Sequence, residues 1–202
     1  MNLKQQFGNG WYQLLEPYLK SDEFKKLGEF IRERRGGFNM EVYPAQEDIF
    51  KAFRLCPLES LKCVVVGYEP YGLKCDNGLS FGYNGDGPLP TPTNNIHQAY
   101  EREIWGGLDL MFDYSLEDFS KKGMLMLNLA LTKDHTTDHM NMWKGFAMFL
   151  LKQLNTSHKE LEYFFWDKRA LVAKSLLTNK VITGIPAKPF KEIELLTDIK
   201  FR

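Results

Sequence analysis

The sequence predicts a single α/β domain built on a central four-stranded parallel sheet flanked by helices. Four short apolar runs carry this reading: Leu61–Val66, Met124–Asn128, Leu161–Trp166 and Lys180–Ile185. They lack the polar alternation of a half-exposed strand, as strands buried on both faces do. Between them lie stretches with helical spacing, at Asn94–Trp105, Asp138–Leu154 and Asp167–Leu177. Alternating buried strands and helices imply right-handed βαβ crossovers. The length of 202 residues fits one domain, with a helical part over 1–60 and a sheet-bearing part over 61–202.

The elements follow in order. Asn9–Lys20 places Leu14, Leu15 and Tyr18 on one helical face, and Asp22–Arg35 does the same with Phe24, Leu27, Phe30 and Ile31. Gly36-Gly37 stops the second helix. Glu47–Arg54 is a short third helix with Ile49, Phe50 and Phe53 on one side, and Pro57 breaks the helical pattern beyond it. Three consecutive valines, Val64 to Val66, then open the sheet, and Gly67 ends that strand. The Gly/Pro-rich stretch Gly82–Thr93 is the longest loop and lies inside the domain.

Composition excludes several classes. A hydrophobic fraction of 44% with 26% charged residues is globular rather than disordered. No apolar run approaches the ~20 residues of a bilayer span, so no membrane is expected. The first residues lack the apolar core of a signal peptide. Cys56, Cys63 and Cys75 are odd in number and without CxxC spacing, which fits a reducing cytoplasm. The balance of 26 Lys+Arg against 26 Asp+Glu argues against bulk electrostatic coating of nucleic acid, but allows a local basic face. Such a face is expected at the strand C-termini, from Lys133, Lys144, Lys188 and Lys191.

In open α/β sheets, ligands bind beyond the carboxyl ends of the strands. After the first strand comes Gly67-Tyr68-Glu69-Pro70-Tyr71-Gly72. Glu69, restrained by Pro70, can orient a water or stabilise a cationic transition state, or simply form a salt bridge in the loop. Asn128 ends the second strand, where its amide can pair with a nucleobase edge or satisfy loop backbone. Phe81, in Gly78-Leu79-Ser80-Phe81, can stack a planar ligand or sit in the core. The third strand ends at Trp166-Asp167. In Ile185-Pro186-Ala187-Lys188-Pro189-Phe190, Lys188 suits a phosphate and Phe190 an apolar wedge, unless this is a solvent loop with one satisfied aromatic. His135 and His139 are spaced i, i+4, but no third ligand is spaced to complete a zinc site, so no metal is expected.

Taken together, these pieces resemble the uracil-DNA glycosylase superfamily, especially its family 1, over about residues 43–190. The family's GQDPYH motif matches Gly67 to Gly72, and its GLSF matches Gly78-Leu79-Ser80-Phe81 without change. Its LLLLN…LT strand matches Met124 to Asn128 with Leu131-Thr132. Its GWE.F helix matches Met142-Trp143-Lys144-Gly145-Phe146. The resemblance implies the three-layer fold of that superfamily and hydrolysis of an N-glycosidic bond after base flipping. It makes Glu69 the catalytic carboxylate. Tyr68, Tyr71, Phe81 and Asn128 become base-binding residues, with Tyr71 crowding C5 of the base. Pro88, Thr91, Thr93, Thr132, Lys188 and Phe190 become DNA contacts. It implies DNA, duplex or single-stranded, as the partner of a cytoplasmic monomer that needs no cofactor.

The departures from the motif cluster in the site. Asp becomes Glu69, one methylene longer; Gln becomes Tyr68; the His closing the first motif becomes Gly72. The HPSPLS loop has no counterpart in kind, and Ile185 stands where its His should be. Losing that donor to the leaving base costs roughly 3–4 kcal/mol in the transition state. Backbone amides near Gly67–Tyr68 and the Tyr68 hydroxyl are the expected compensation. Gly72 and Ile185, smaller or apolar in place of imidazole, suggest room for a modified pyrimidine, and so a role against phage with modified DNA. Two alternatives stand beside that reading: an ordinary but divergent uracil-DNA glycosylase of base excision repair, and a catalytically inactive DNA- or protein-binding module.

Overall fold

The computed structural model describes residues 2–37, 41–106, 112–183 and 189–201. Helices α1 (Leu3–Leu19), α2 (Asp22–Gly36) and α3 (Lys51–Leu55) precede strand β1 (Cys63–Gly67). Then come α4 (Thr91–Tyr100), continued by a π-helical turn over Glu101–Trp105, and α5 (Glu117–Lys121). Strand β2 (Met124–Asn128), helix α6 (Met140–Ser157), strand β3 (Glu162–Phe165), a 3₁₀ segment (Lys168–Leu176), strand β4 (Val181–Thr183) and helix α7 (Pro189–Leu196) complete the chain. The strands align in the order β2-β1-β3-β4, all parallel. No helix of the described residues is long and apolar enough to cross a membrane.

The predicted sheet is present, and β1 and β2 are buried along their whole length. Three helical segments differ from expectation. Helix α1 is helical beyond Asn9 as expected, but a further helical piece from Leu3, capped by the Asn2 side chain, precedes it across a non-helical kink at Gly8, φ 72°. The third predicted helix splits into a 3₁₀ turn over Gln46–Asp48 and α3. The tail read as a stiff loop instead enters α7, whose first amides are satisfied by a buried acid: Phe190 and Lys191 donate backbone N–H bonds of 2.9 and 3.1 Å to Glu103 Oε2.

Two aromatic clusters flank the sheet. Phe7, Phe50, Phe53, Trp143 and Phe146 tie α1 and α3 to α6. Tyr100, Phe119, Phe190 and Phe201 tie α4 and α5 to α7. Burial of this many rings supplies the main driving force of folding. The order β2-β1-β3 also places the chain's change of direction between β1 and β3. Loops leaving those strands therefore diverge and open a crevice at their carboxyl ends.

Candidate active site

The crevice is held open by close backbone packing. Gly67 pairs in register with Asn128. A Cβ on Gly67 would lie 2.5 Å from Asn128 Oδ1 and 3.0 Å from Ser80 Cβ, so only glycine lets these groups meet. The β1–β2 ladder continues past the strands, through Leu129 N–H to Gly67 O (3.1 Å) and Ala130 N–H to Tyr68 O (2.9 Å). Asp76 holds the next turn. Its carboxylate accepts backbone N–H bonds from Tyr71 (2.9 Å), Gly72 (2.7 Å) and Leu73 (2.9 Å). Burial pushes the Asp76 pKa up, and those three amides pull it back in part.

Glu69, Tyr68, Tyr71, Phe81 and Asn128 line one cavity of about 120 Å³. The five residues expected at the base site are thus together. Phe81 sits in a left-handed backbone conformation, φ 65°, which turns its ring into the cavity wall 6.0 Å from the Trp166 ring. That turn requires Gly78, whose Cβ would fall 2.0 Å from Asp48 O. Asn128 is 6% exposed, and its side-chain amide has no protein hydrogen bond among the described residues. It is therefore free to pair with a ligand.

Tyr71 is anchored by a two-bond relay. The Thr93 hydroxyl donates to Phe81 O at 2.8 Å, which leaves its oxygen to accept from the Tyr71 hydroxyl, also at 2.8 Å. Burial pushes the Tyr71 phenol up to about 12, so it stays a neutral donor. The ring that the resemblance places against C5 is therefore fixed to the backbone of Phe81.

Glu69 is only 16% exposed at its side chain and sits between two cations. Its Oε1 accepts from Lys133 Nζ and from Arg169 Nη1, each at 2.9 Å. Its Oε2 has no protein partner among the described residues and is available to a water. Arg169 is itself anchored by Asp167, through Nη2 to Oδ2 at 2.9 Å, and its guanidinium lies 4.7 Å above the Tyr68 ring. The Asp167 hydrogen bonds and charge, with those of Glu69, raise the Arg169 pKa. Arg169 was not expected here: the strand-end rule led to Trp166-Asp167, and Arg169 lies two residues further on.

Lys133 is not turned outward toward a phosphate, as a simple basic face would require. It crosses the open side of Gly72, where a Cβ would meet its Cδ at 3.3 Å and Cε at 3.4 Å. The room expected from a glycine at this position is therefore filled by the lysine stem.

Four of the expected DNA contacts need correction or qualification. Phe190 is 0% exposed and packs against Tyr100, Phe119, Trp166 and Phe201, so it is a core residue and no wedge. Thr93 is buried and committed to the relay. Thr132 is buried too, with its hydroxyl taken by Trp143 Nε1 (2.7 Å) and His139 Nδ1 (2.8 Å). Lys188 lies outside the described residues, as does Ile185. Pro88, on the loop leading into α4, and Thr91, the first residue of α4, remain exposed beside the cavity-lining Pro92.

No protein-family model matches the sequence. Individual relatives do. The chain is 31% identical over 186 residues to "Uracil-DNA glycosylase 1" of Listeria monocytogenes, covering 89% of this chain and 82% of the relative. It is 30% identical over 188 residues to "Uracil-DNA glycosylase" of Fusobacterium nucleatum, covering 90% and 81%. Among solved structures, mimivirus uracil-DNA glycosylase superposes with a TM-score of 0.75 at 20% identity, covering 94% of this chain and 72% of that one. The UNG structure from Nitratifractor salsuginis gives 0.64 at 18% identity, covering 96% and 92%. These two structural likenesses speak to the fold.

Proposed function

Because the chain belongs to the uracil-DNA glycosylase family, we propose that it flips uracil out of DNA and hydrolyses its N-glycosidic bond, leaving an abasic site. The observation that carries uracil, rather than a 5-substituted pyrimidine, is the anchored Tyr71. Its hydroxyl is tied to Thr93, which is itself held by the Phe81 carbonyl, so the ring cannot swing away without giving up the hydrogen bond to Thr93. The space beside Gly72 is likewise occupied by the stem of Lys133.

In this reading the base stacks on Phe81, and the Asn128 amide pairs with its edge. Extrusion comes first, because a stacked base shields the sugar C1′. Glu69 then steadies the cationic sugar and orients water through Oε2. Pro88 and Thr91 meet the DNA backbone from the exposed start of α4 and the loop before it.

The test is direct. Duplex and single-stranded DNA carrying uracil, thymine, cytosine, 5-hydroxymethylcytosine or glucosylated cytosine is incubated with the protein and assayed for alkali-labile sites. Release of uracil, with thymine and the modified bases untouched, is expected. Release of a modified base but not of uracil would replace this reading with the modified-pyrimidine one. Binding of DNA without release of any base would make the chain a non-catalytic module.

A further inference from the structure

Two cations beside Glu69 are at odds with its task. Positive charge 2.9 Å from Glu69 Oε1 opposes the growth of a cationic sugar. It favours the other half of the same event. When C1′–N1 breaks, the electron pair stays with the base, and negative charge spreads over N1 and the ring oxygens. We infer that Lys133 is a catalytic residue that receives this charge, its ammonium donating to the leaving base. The inference rests on the uracil-excision reading above.

Four observations single out Lys133. It lines the same cavity as Phe81 and Asn128. Among the described residues, only one of the three donors on its ammonium is used, by Glu69, which leaves two for a ligand. Its side chain is 27% exposed against 58% for Arg169, so its field is less screened by water. Arg169 is in addition offset by its pairing with Asp167.

Lys133 is also preorganised. Its backbone exchanges both hydrogen bonds with Tyr43, each 2.8 Å, and its stem lies in the groove that Gly72 leaves open. A donor fixed before the reaction needs no reorganisation as charge develops. The step balances without a cofactor. The C1′–N1 pair goes to the base, water oxygen bonds to C1′, and the proton that water sheds reaches the released base by way of solvent.

The leaving group reports on this role. Fluorine at C5 stabilises the base anion, so 5-fluorouracil needs less help than uracil. Single-turnover rates on the two bases are compared in wild type and Lys133→Met, with thermal melting as the check on folding. The expected loss on uracil is about 10²-fold or more. The loss on 5-fluorouracil should be smaller, raising the 5-fluorouracil-to-uracil rate ratio above that of wild type. Lys133→Cys treated with 2-bromoethylamine, beside equally treated wild type to control for Cys75, should regain uracil activity. Equal losses on both bases would overturn the inference and reduce Lys133 to positioning Glu69. If wild type releases neither base, the uracil reading itself falls and this inference with it.

Discussion

The Tyr71 hydroxyl donates to Thr93 Oγ1, which in turn donates to the carbonyl of Phe81. The Tyr71 ring and Phe81, both lining the pocket, are thereby one unit. Thr93→Val keeps the shape and removes both bonds. The buried phenol and carbonyl are left unsatisfied, at a cost of about 1–3 kcal/mol each by the usual penalty. A lower melting temperature and measurable thymine release are expected from this variant, with Thr93→Ser close to wild type. Unchanged exclusion of thymine in Thr93→Val would show that the relay does not set specificity.

Glu69→Gln tests the carboxylate with little change of volume. It removes the charge proposed to steady the sugar and leaves Lys133 and Arg169 without their shared partner. Excision should fall by about 10²-fold or more, while the far-ultraviolet circular dichroism stays that of wild type. An unimpaired rate would take Glu69 out of the mechanism.

The sheet was legible because buried parallel strands are written as unbroken apolar runs, and Val64 to Val66 or Met124 to Leu127 carry no competing signal. The grouping of Glu69 and Tyr71, just past β1, with Asn128, the last residue of β2, was legible because topology concentrates loops at strand ends, while Phe81 was found through its Gly78-Leu79-Ser80-Phe81 motif. The wedge and the hydroxyl contacts were not. Phe190, Thr93 and Thr132 look like surface candidates in a Pro- or Thr-rich stretch, and only tertiary packing shows them buried. The pairing of Glu69 with Arg169 joins residues far apart in sequence, which neither periodicity nor spacing encodes. Lys133 over Gly72 is of the same kind: the glycine reads as a loss until its neighbour is seen to use the space.

Phe190 gives a prediction that separates core from DNA contact. Phe190→Ala should destabilise the fold by about 3–5 kcal/mol, since a fully buried ring among four aromatic neighbours leaves a cavity. Urea unfolding measures that loss. The ratio of duplex to single-strand excision should stay at the wild-type value at a temperature where the variant is folded; a selective duplex defect would restore the wedge.

Stability against acid should depend on a buried cluster behind the site. Arg34 Nε lies 2.7 Å from Asp134 Oδ2, and His139 Nε2 lies 3.0 Å from the same oxygen. Burial alone would raise the Asp134 pKa, but the bonds from Arg34, from the amides of Thr136 and Thr137 and from His139 outweigh it. They hold the carboxyl well below its usual range. A depressed folded-state pKa adds stability that is fully present above the unfolded value of about 3.9 and is lost as pH falls below it. Asp134→Asn removes that dependence and strands Arg34, whose side chain is 19% exposed. The cost at neutral pH should be about 3 kcal/mol, the lower end for breaking a buried pair because Arg34 keeps some water. Unfolding free energies of wild type and variant, followed from neutral pH down toward pH 2, should therefore draw together below about pH 4, where Asp134 of the unfolded chain takes up a proton that the folded carboxylate still refuses. Parallel curves across that range would show that this carboxylate does not govern acid stability.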